Sequence, residues 1–238
     1  MFALFRRIRK QLVSEGNFGK YLKYAIGEII LVVIGIVIAL QVNNWNENRK
    51  SRSFEQEMLA QIRENLEVDK MDLKKVHKNF EKAISSITKI LEHEQEQYPD
   101  SLKFWLGDIL QFERFAAITN SYETLKSNGL DKVSDDKLRR LLSNYYENEV
   151  EQVSRAIIDV EYAFLNDWKP LLKELSIEDF KFRQYVIVND PHIFDRSSVA
   201  RNNLILNKDN YSGGTTRISQ VIQSIDEILN RLSAELEK

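Results

Sequence analysis

Residues 24–46 read YAIGEIILVVIGIVIALQVNNWN, and how this stretch is read decides the fold. Positions 29–40 carry no polar side chain. With the neighbours on either side the apolar run reaches about eighteen residues, near the lower limit for crossing a bilayer. Tyr21, Leu22 and Tyr24 before it and Trp45 after it extend it into the two interfaces, where amphipathic aromatics settle. A secretory signal is the competing reading, with VIA at 37–39 as a small-residue cleavage site. The long basic leader favours an uncleaved anchor. The expectation is one membrane helix over 24–46, a leader over 1–23 and a body over 47–238.

Charge is divided unevenly around that helix. The chain is close to neutral at −2 over 238 residues. Its first 24 residues, however, hold Arg6, Arg7, Arg9, Lys10, Lys20 and Lys23 against Glu15 alone. Three basic residues, Arg49, Lys50 and Arg52, follow the span. Basic residues stay on the cytoplasmic side, so the amino terminus is expected inside and the body across the membrane. Phe2, Phe5, Ile8 and Leu12 fall at helical spacing opposite Arg6, Arg9 and Lys10. Two readings stand: a segment lying on anionic lipid through Arg6, Arg7, Arg9 and Lys10, or a leader that only sets orientation.

The body repeats apolar residues at steps of three and four: Leu59, Ile62, Leu66, Asp69, Leu73, Val76, Phe80, Ala83, Ile87 and Ile90. That is a heptad seam with one polar member, Asp69. Nothing between Val42 and Leu59 breaks a helix, so the membrane helix is expected to run on to about Gln97, before Pro99. The spacing predicts further helices: 102–115 with Phe104, Trp105, Ile109 and Phe112 as its packing face, and one opened by an Asn120/Glu123 capping box and closed at Gly129. Ser134 is expected to cap a long helix towards Trp168 that kinks or stops before Pro170. QYVIV at 184–188 is read as a buried helix turn, since a lone strand has no pair. Asp190 and Pro191 read as an N-cap and first helical residue, and YSGGTT at 211–216 as a break before a closing helix along Ile218, Ile222, Ile225, Leu229, Leu232 and Leu236. The fold class is therefore all-α: a single transmembrane helix continuing into a long helix of an elongated antiparallel bundle.

Little in the sequence signals chemistry. There is no cysteine, which removes disulfides and thiol ligands. His77, His93 and His192 show no metal-ligand spacing, and no phosphate loop or nucleophile elbow is present. The sequence therefore predicts no catalytic residue, no metal and no cofactor. A helix, glycine turn, helix pattern around Gly129 has Asp135 and Asp136 at its leading end, which repel phosphate, so no nucleic-acid partner is expected. In the span, Glu28, Gly35 and Val42 share one helical stripe with Ala39 beside it, and Gly35 to Ala39 is a small-xxx-small step. Glu28 either snorkels to the headgroups or pairs with Lys23, meets a partner helix, or lines an ion path. Asp69 either fixes the register of the seam or marks where it is exposed between partners.

The stretches YAIGEIILVVIGIVIALQVNNWNENRK and, later, SYETLKSNGLDKVSDDKLRRLLSNYYE resemble an uncharacterised family of single-pass membrane proteins from the Bacteroidota, a domain of unknown function. The resemblance implies an inner-membrane protein with a helical periplasmic body and brings no activity with it. The function expected is association, as a homo-oligomer or as an accessory subunit of a membrane complex. The alternative is a periplasmic ligand sensor relaying through a partner.

Overall fold

The structure, a computed structural model, describes residues 18–93, 97–174 and 177–237. The chain divides into two compact units, one up to Phe54 and one from Glu55 to the carboxyl end. The leader residues Arg6, Arg7, Arg9 and Lys10 lie outside the described residues.

Helix α1, Phe18–Leu91, runs for 74 residues without interruption. With neither proline nor glycine after Gly35 before its end, nothing in the sequence breaks its hydrogen-bond ladder. The apolar span and the seam are thus one helix. It ends at Leu91, earlier than the expected Gln97, where the Arg201 guanidinium donates to the Leu91 carbonyl at 2.7 Å. A cation on the last carbonyls satisfies acceptors that the helix leaves open.

In the second unit every seam residue from Leu59 to Ile90 is buried. The chain covers the seam itself. Helix α7, Val199–Leu236, runs antiparallel to α1, as the pairs Lys70–Asp226 (2.6 Å), His77–Ser219 (2.9 Å) and Phe80–Tyr211 (ring centroids 4.9 Å apart) record in order. A third long helical stretch over 136–174 consists of α4 (Asp136–Asn144), α5 (Val150–Ala163) and α6 (Lys169–Glu174). Two wide π turns, Tyr145–Glu149 and Phe164–Trp168, join them. It is also antiparallel to α7, through Asp135–Arg231 (2.7 Å), Lys137–Glu227 (2.7 Å) and Glu149–Ser224 (2.9 Å).

Several sequence expectations are corrected. The helix expected over 102–115 is only α2, Leu102–Ile109, and its buried face is Leu102, Leu106 and Ile109, with Phe104 exposed. The Tyr211 hydroxyl donates to the carbonyls of Ile109 (2.9 Å) and Gln111 (3.3 Å), which a continuing helix would have used for its own N–H groups. Residues 110–119 instead form a strap without regular structure. Helix α3, Asn120–Asn128, has Thr119 before it and no side-chain cap; Asn120 Oδ1 accepts from Asn65 at 3.1 Å. Gly129 does close it, at φ 104°. Asp135, not Ser134, caps α4, accepting from the N–H groups of Lys137 and Leu138.

Pro170 does not stop the third stretch. It is the second residue of α6, one residue separating it from the end of a π turn, where the ladder is already interrupted and a missing N–H costs little. Nor do Gly213 and Gly214 break α7, which passes through both. Finally, the fold is not all-α. Tyr185–Val188 is a strand paired antiparallel with Ile177–Lys181, the two forming a hairpin. The partner strand, IEDFK, is exposed throughout, so no alternation of burial marks it. The hairpin rests on α2 because Gly107 has no side chain: a Cβ there would collide with the Gln184 carbonyl. Asp190 caps the 3₁₀ turn Pro191–Phe194 by accepting from the His192 N–H, as expected.

Candidate functional site

The strap owes its path to polar residues on α1. Asp108, at the end of α2, accepts from Ser86 Oγ (2.9 Å) and pairs with Lys82 (2.6 Å). Glu113 accepts from Asn79 (2.7 Å) and from Arg183 of the hairpin turn (2.7 Å). The Ile118 N–H donates to Asp69 at 3.1 Å. Beyond the strap, Ser121 donates to Gln61 (3.1 Å), and Ser134 donates to Glu55 through both its N–H (2.7 Å) and its hydroxyl (3.0 Å). The partners on α1 descend from 86 to 55 as the strap and its continuation ascend from 108 to 134. Asp69, Asp108, Glu113 and Glu55 are all buried, and each meets N–H, O–H or cationic donors, as a buried carboxylate must.

Asp69 is the centre of this arrangement. It is 1% exposed, and its second oxygen accepts from the Tyr145 hydroxyl at 2.8 Å. Tyr145 opens the first π turn, a feature frequent at functional sites. Its ring meets Tyr146 edge-on at 4.8 Å, and Tyr146 stacks on Tyr122 at 4.3 Å. The Tyr122 hydroxyl donates to Glu147 at 2.6 Å, and Glu147 also pairs with Lys126 at 3.0 Å. Glu149, at the end of the turn, accepts from Asn144 (2.7 Å) and Ser224 (2.9 Å) through Oε1. Its Oε2 and the Tyr146 hydroxyl are buried without a hydrogen-bond partner among the described residues.

Burial dominates the electrostatics here. It pushes the Asp69 carboxyl up from the ordinary carboxylate value, against the hydrogen bonds from Tyr145 and Ile118 that pull it down. Burial likewise raises all three phenols: Tyr122 to about 12, with the Glu147 bond adding to it, and Tyr145 and Tyr146 further. The cluster therefore keeps its phenols protonated and makes Asp69 easier to protonate than a surface acid. It has no activated nucleophile, and among the described residues no group of three His, Asp or Glu side chains is arranged to hold a metal ion.

The other expected residues are dispersed. Gly35, Ala39 and Val42 lie on the exposed apolar part of α1, and Glu28 is half-buried. A Cβ added to Gly35 meets nothing within 4 Å. Trp45 is exposed, with the Arg49 guanidinium 5.3 Å above its ring. Tyr21 and Tyr24 are on α1, their side chains outside the described part. His77 bonds Ser219 (2.9 Å), His93 stacks on Tyr98 (4.5 Å) and His192 pairs with Asp195 (3.0 Å). Sequence reasoning missed Tyr122, Tyr145, Tyr146 and Glu149 as a cluster. The adjacent tyrosines at 145–146 were visible, but nothing in a helical period announces a π turn.

A family model for a family of unknown function (DUF6090) matches residues 28–162, and the chain belongs to that family. The match runs from the apolar part of α1 through the strap and the π turn to the end of α5. No curated protein matches the chain, and no solved structure does.

Proposed function

We propose, with membership of DUF6090 as the premise, that the chain is a single-pass inner-membrane protein that works by association. It acts as a homo-oligomer or as an accessory subunit of a membrane complex. Its basic leader is cytoplasmic and its helical body periplasmic, as the basic-residue count before and after the span favours and as the resemblance to Bacteroidota membrane proteins implies. One contrast carries the reading. An eighteen-residue window of α1 with mean hydropathy 2.6 has none of its residues buried within the chain, while the seam that follows on the same helix is covered by the chain's own helices. Apolar surface of that size calls for lipid or a partner helix. The seam does not call for a second copy.

The test is native mass spectrometry of the full chain, tagged at its carboxyl end and extracted gently from membranes. A discrete multiple of 27.9 kDa, or a fixed stoichiometry with a second polypeptide, supports association. A bare monomer overturns it. A second reading, a ligand sensor relaying through a partner, draws on Tyr146 and Glu149, whose buried polar atoms lack partners among the described residues. A small molecule bound by the monomer would bring that reading forward.

A further inference from the structure

We propose that Trp45 and Arg49 of α1 form a site for the phosphate of a membrane phospholipid, at the end of the span that leads into the body. The site presupposes the membrane span of the proposed function and gives it a ligand.

Among the bases that follow the span, Arg49 stands apart. Lys50 is paired with Glu47 at 3.3 Å, and Arg52 is half-buried. Arg49 is exposed, and its bond within the chain is a long one, 3.5 Å to the side-chain oxygen of Asn46. No carboxylate neutralises it among the described residues. Helix geometry keeps it so. Each residue advances about 100° around the axis, and Glu47 is two residues from Trp45 and two from Arg49. It therefore stands on the opposite side of α1 from both.

The place of the guanidinium is the second observation. Arg49 is one turn beyond Trp45, so a side chain extended into water would carry its charge away from the span. Instead the guanidinium carbon lies over the Trp45 ring, 5.3 Å from its centre. The side chain is folded back by a turn, towards the apolar run. Trp45 is 65% exposed and three residues past Val42, about 4.5 Å along the helix. The headgroup layer is about 5–7 Å deep on each side of the hydrocarbon, so ring and guanidinium both fall within it. Tryptophan settles at that depth, its apolar body towards the acyl chains and its N–H towards water.

The chemistry that this pair recognises is a phosphodiester. A guanidinium presents its donors as a planar fork that fits two phosphate oxygens, where an ammonium offers charge alone. The aromatic ring beside it holds the fork in place. With no carboxylate at hand, the phosphates of the surrounding headgroups are the anions that the fork meets at this depth.

The full chain in detergent is titrated with a phosphatidylglycerol of defined acyl chains, and the lipid retained is read in native mass spectra as collision energy rises. Diacylglycerol with the same chains is the control without phosphate. Expected is one phosphatidylglycerol held after diacylglycerol has left. Arg49→Gln should reduce that retained species about tenfold. Arg49→Lys, which keeps the charge without the fork, should fall between, and Lys50→Gln should change nothing. The site is overturned if Arg49→Gln retains the lipid as the natural chain does, or if Lys50→Gln loses it equally. Diacylglycerol held as long, or displacement of the lipid by inorganic phosphate at the same concentration, overturns it too. So does a natural chain that retains no phosphatidylglycerol, and the membrane reading falls with the site only when that chain also stays in solution without detergent.

Discussion

Phe80 of α1 lies against Gly214 of α7 so closely that a Cβ built on the glycine would sit 2.6 Å from the ring carbon Cε2. The ring has no room to yield, since Phe80 is buried and Tyr211 meets it nearly at right angles, 78° between planes. The neighbouring Gly213 has nothing within 4 Å of an added Cβ.

Two adjacent glycines in one helix therefore respond oppositely to alanine. Gly213→Ala removes the entropy cost of a mid-helix glycine and stabilises by about 0.5–1 kcal/mol. Gly214→Ala gains the same term but overpacks the contact, which costs about 1–3 kcal/mol, so it is neutral to destabilising. Urea unfolding of the full chain in detergent compares them. Equal stabilisation would mean that α7 and α1 do not approach at Phe80.

Asp135 and Asp69 have opposite pH signatures. The N–H of Leu138 is the first cause holding the Asp135 carboxyl below its ordinary range, with the Lys137 N–H and Arg231 adding to it. A depressed group contributes stability above the ordinary carboxylate pKa and loses it as pH falls through the lowered value. Asp135→Ala is expected to cost about 1 kcal/mol at neutral pH. The gap to the natural chain should then close on acidification. A gap that widened in acid would contradict the cap.

The seam was legible because it is local and periodic: a step of three or four residues follows from the helix itself, whatever covers it. The strap was not. Asp69 stood out in the seam, but its partners Ile118 and Tyr145 are 49 and 76 residues away in sequence, and nothing in the linear pattern joins them. The same limit explains Gly213–Gly214, which read as a break because glycine is read through its backbone freedom. At Gly214 it serves an approach that only Phe80 discloses. Tyr185–Val188 lacked a visible partner because Ile177–Lys181 buries no face and alternates nothing.

The hairpin is tied down at its turn. Arg183 takes a left-handed φ of 64° and donates to the Phe112 carbonyl (2.8 Å) and to Glu113 (2.7 Å). Glu113→Ala removes the acceptor shared by Arg183 and Asn79. Hydrogen bonds to a charged group contribute about 1.5–3 kcal/mol, and the arginine side chain is 43% exposed, so screening reduces the expected loss to about 1–2 kcal/mol. Amide exchange should rise in 177–188 and 110–119 more than in α7. Protection lost evenly across the unit would instead mean that Glu113 serves the whole core.

The span offers the most direct test of association, because a Cβ added at Gly35 of its stripe has nothing within 4 Å among the described residues. A leucine at Gly35 meets no neighbour in the monomer, since the added Cβ has open space around it, and Gly27 is equally open. Any effect of Gly35→Leu on assembly must then act between molecules. If copies meet through Gly35 and Ala39, a bulky side chain forces the helices apart and removes the close approach that small residues permit. Gly35→Leu should shift the natural chain's oligomer towards monomer in native mass spectra. Gly27→Leu, about 80° away around the helix at 3.6 residues per turn, should leave it in place. Should both variants assemble as the natural chain does, the stripe is a lipid-facing surface and association belongs to the unit beyond Glu55.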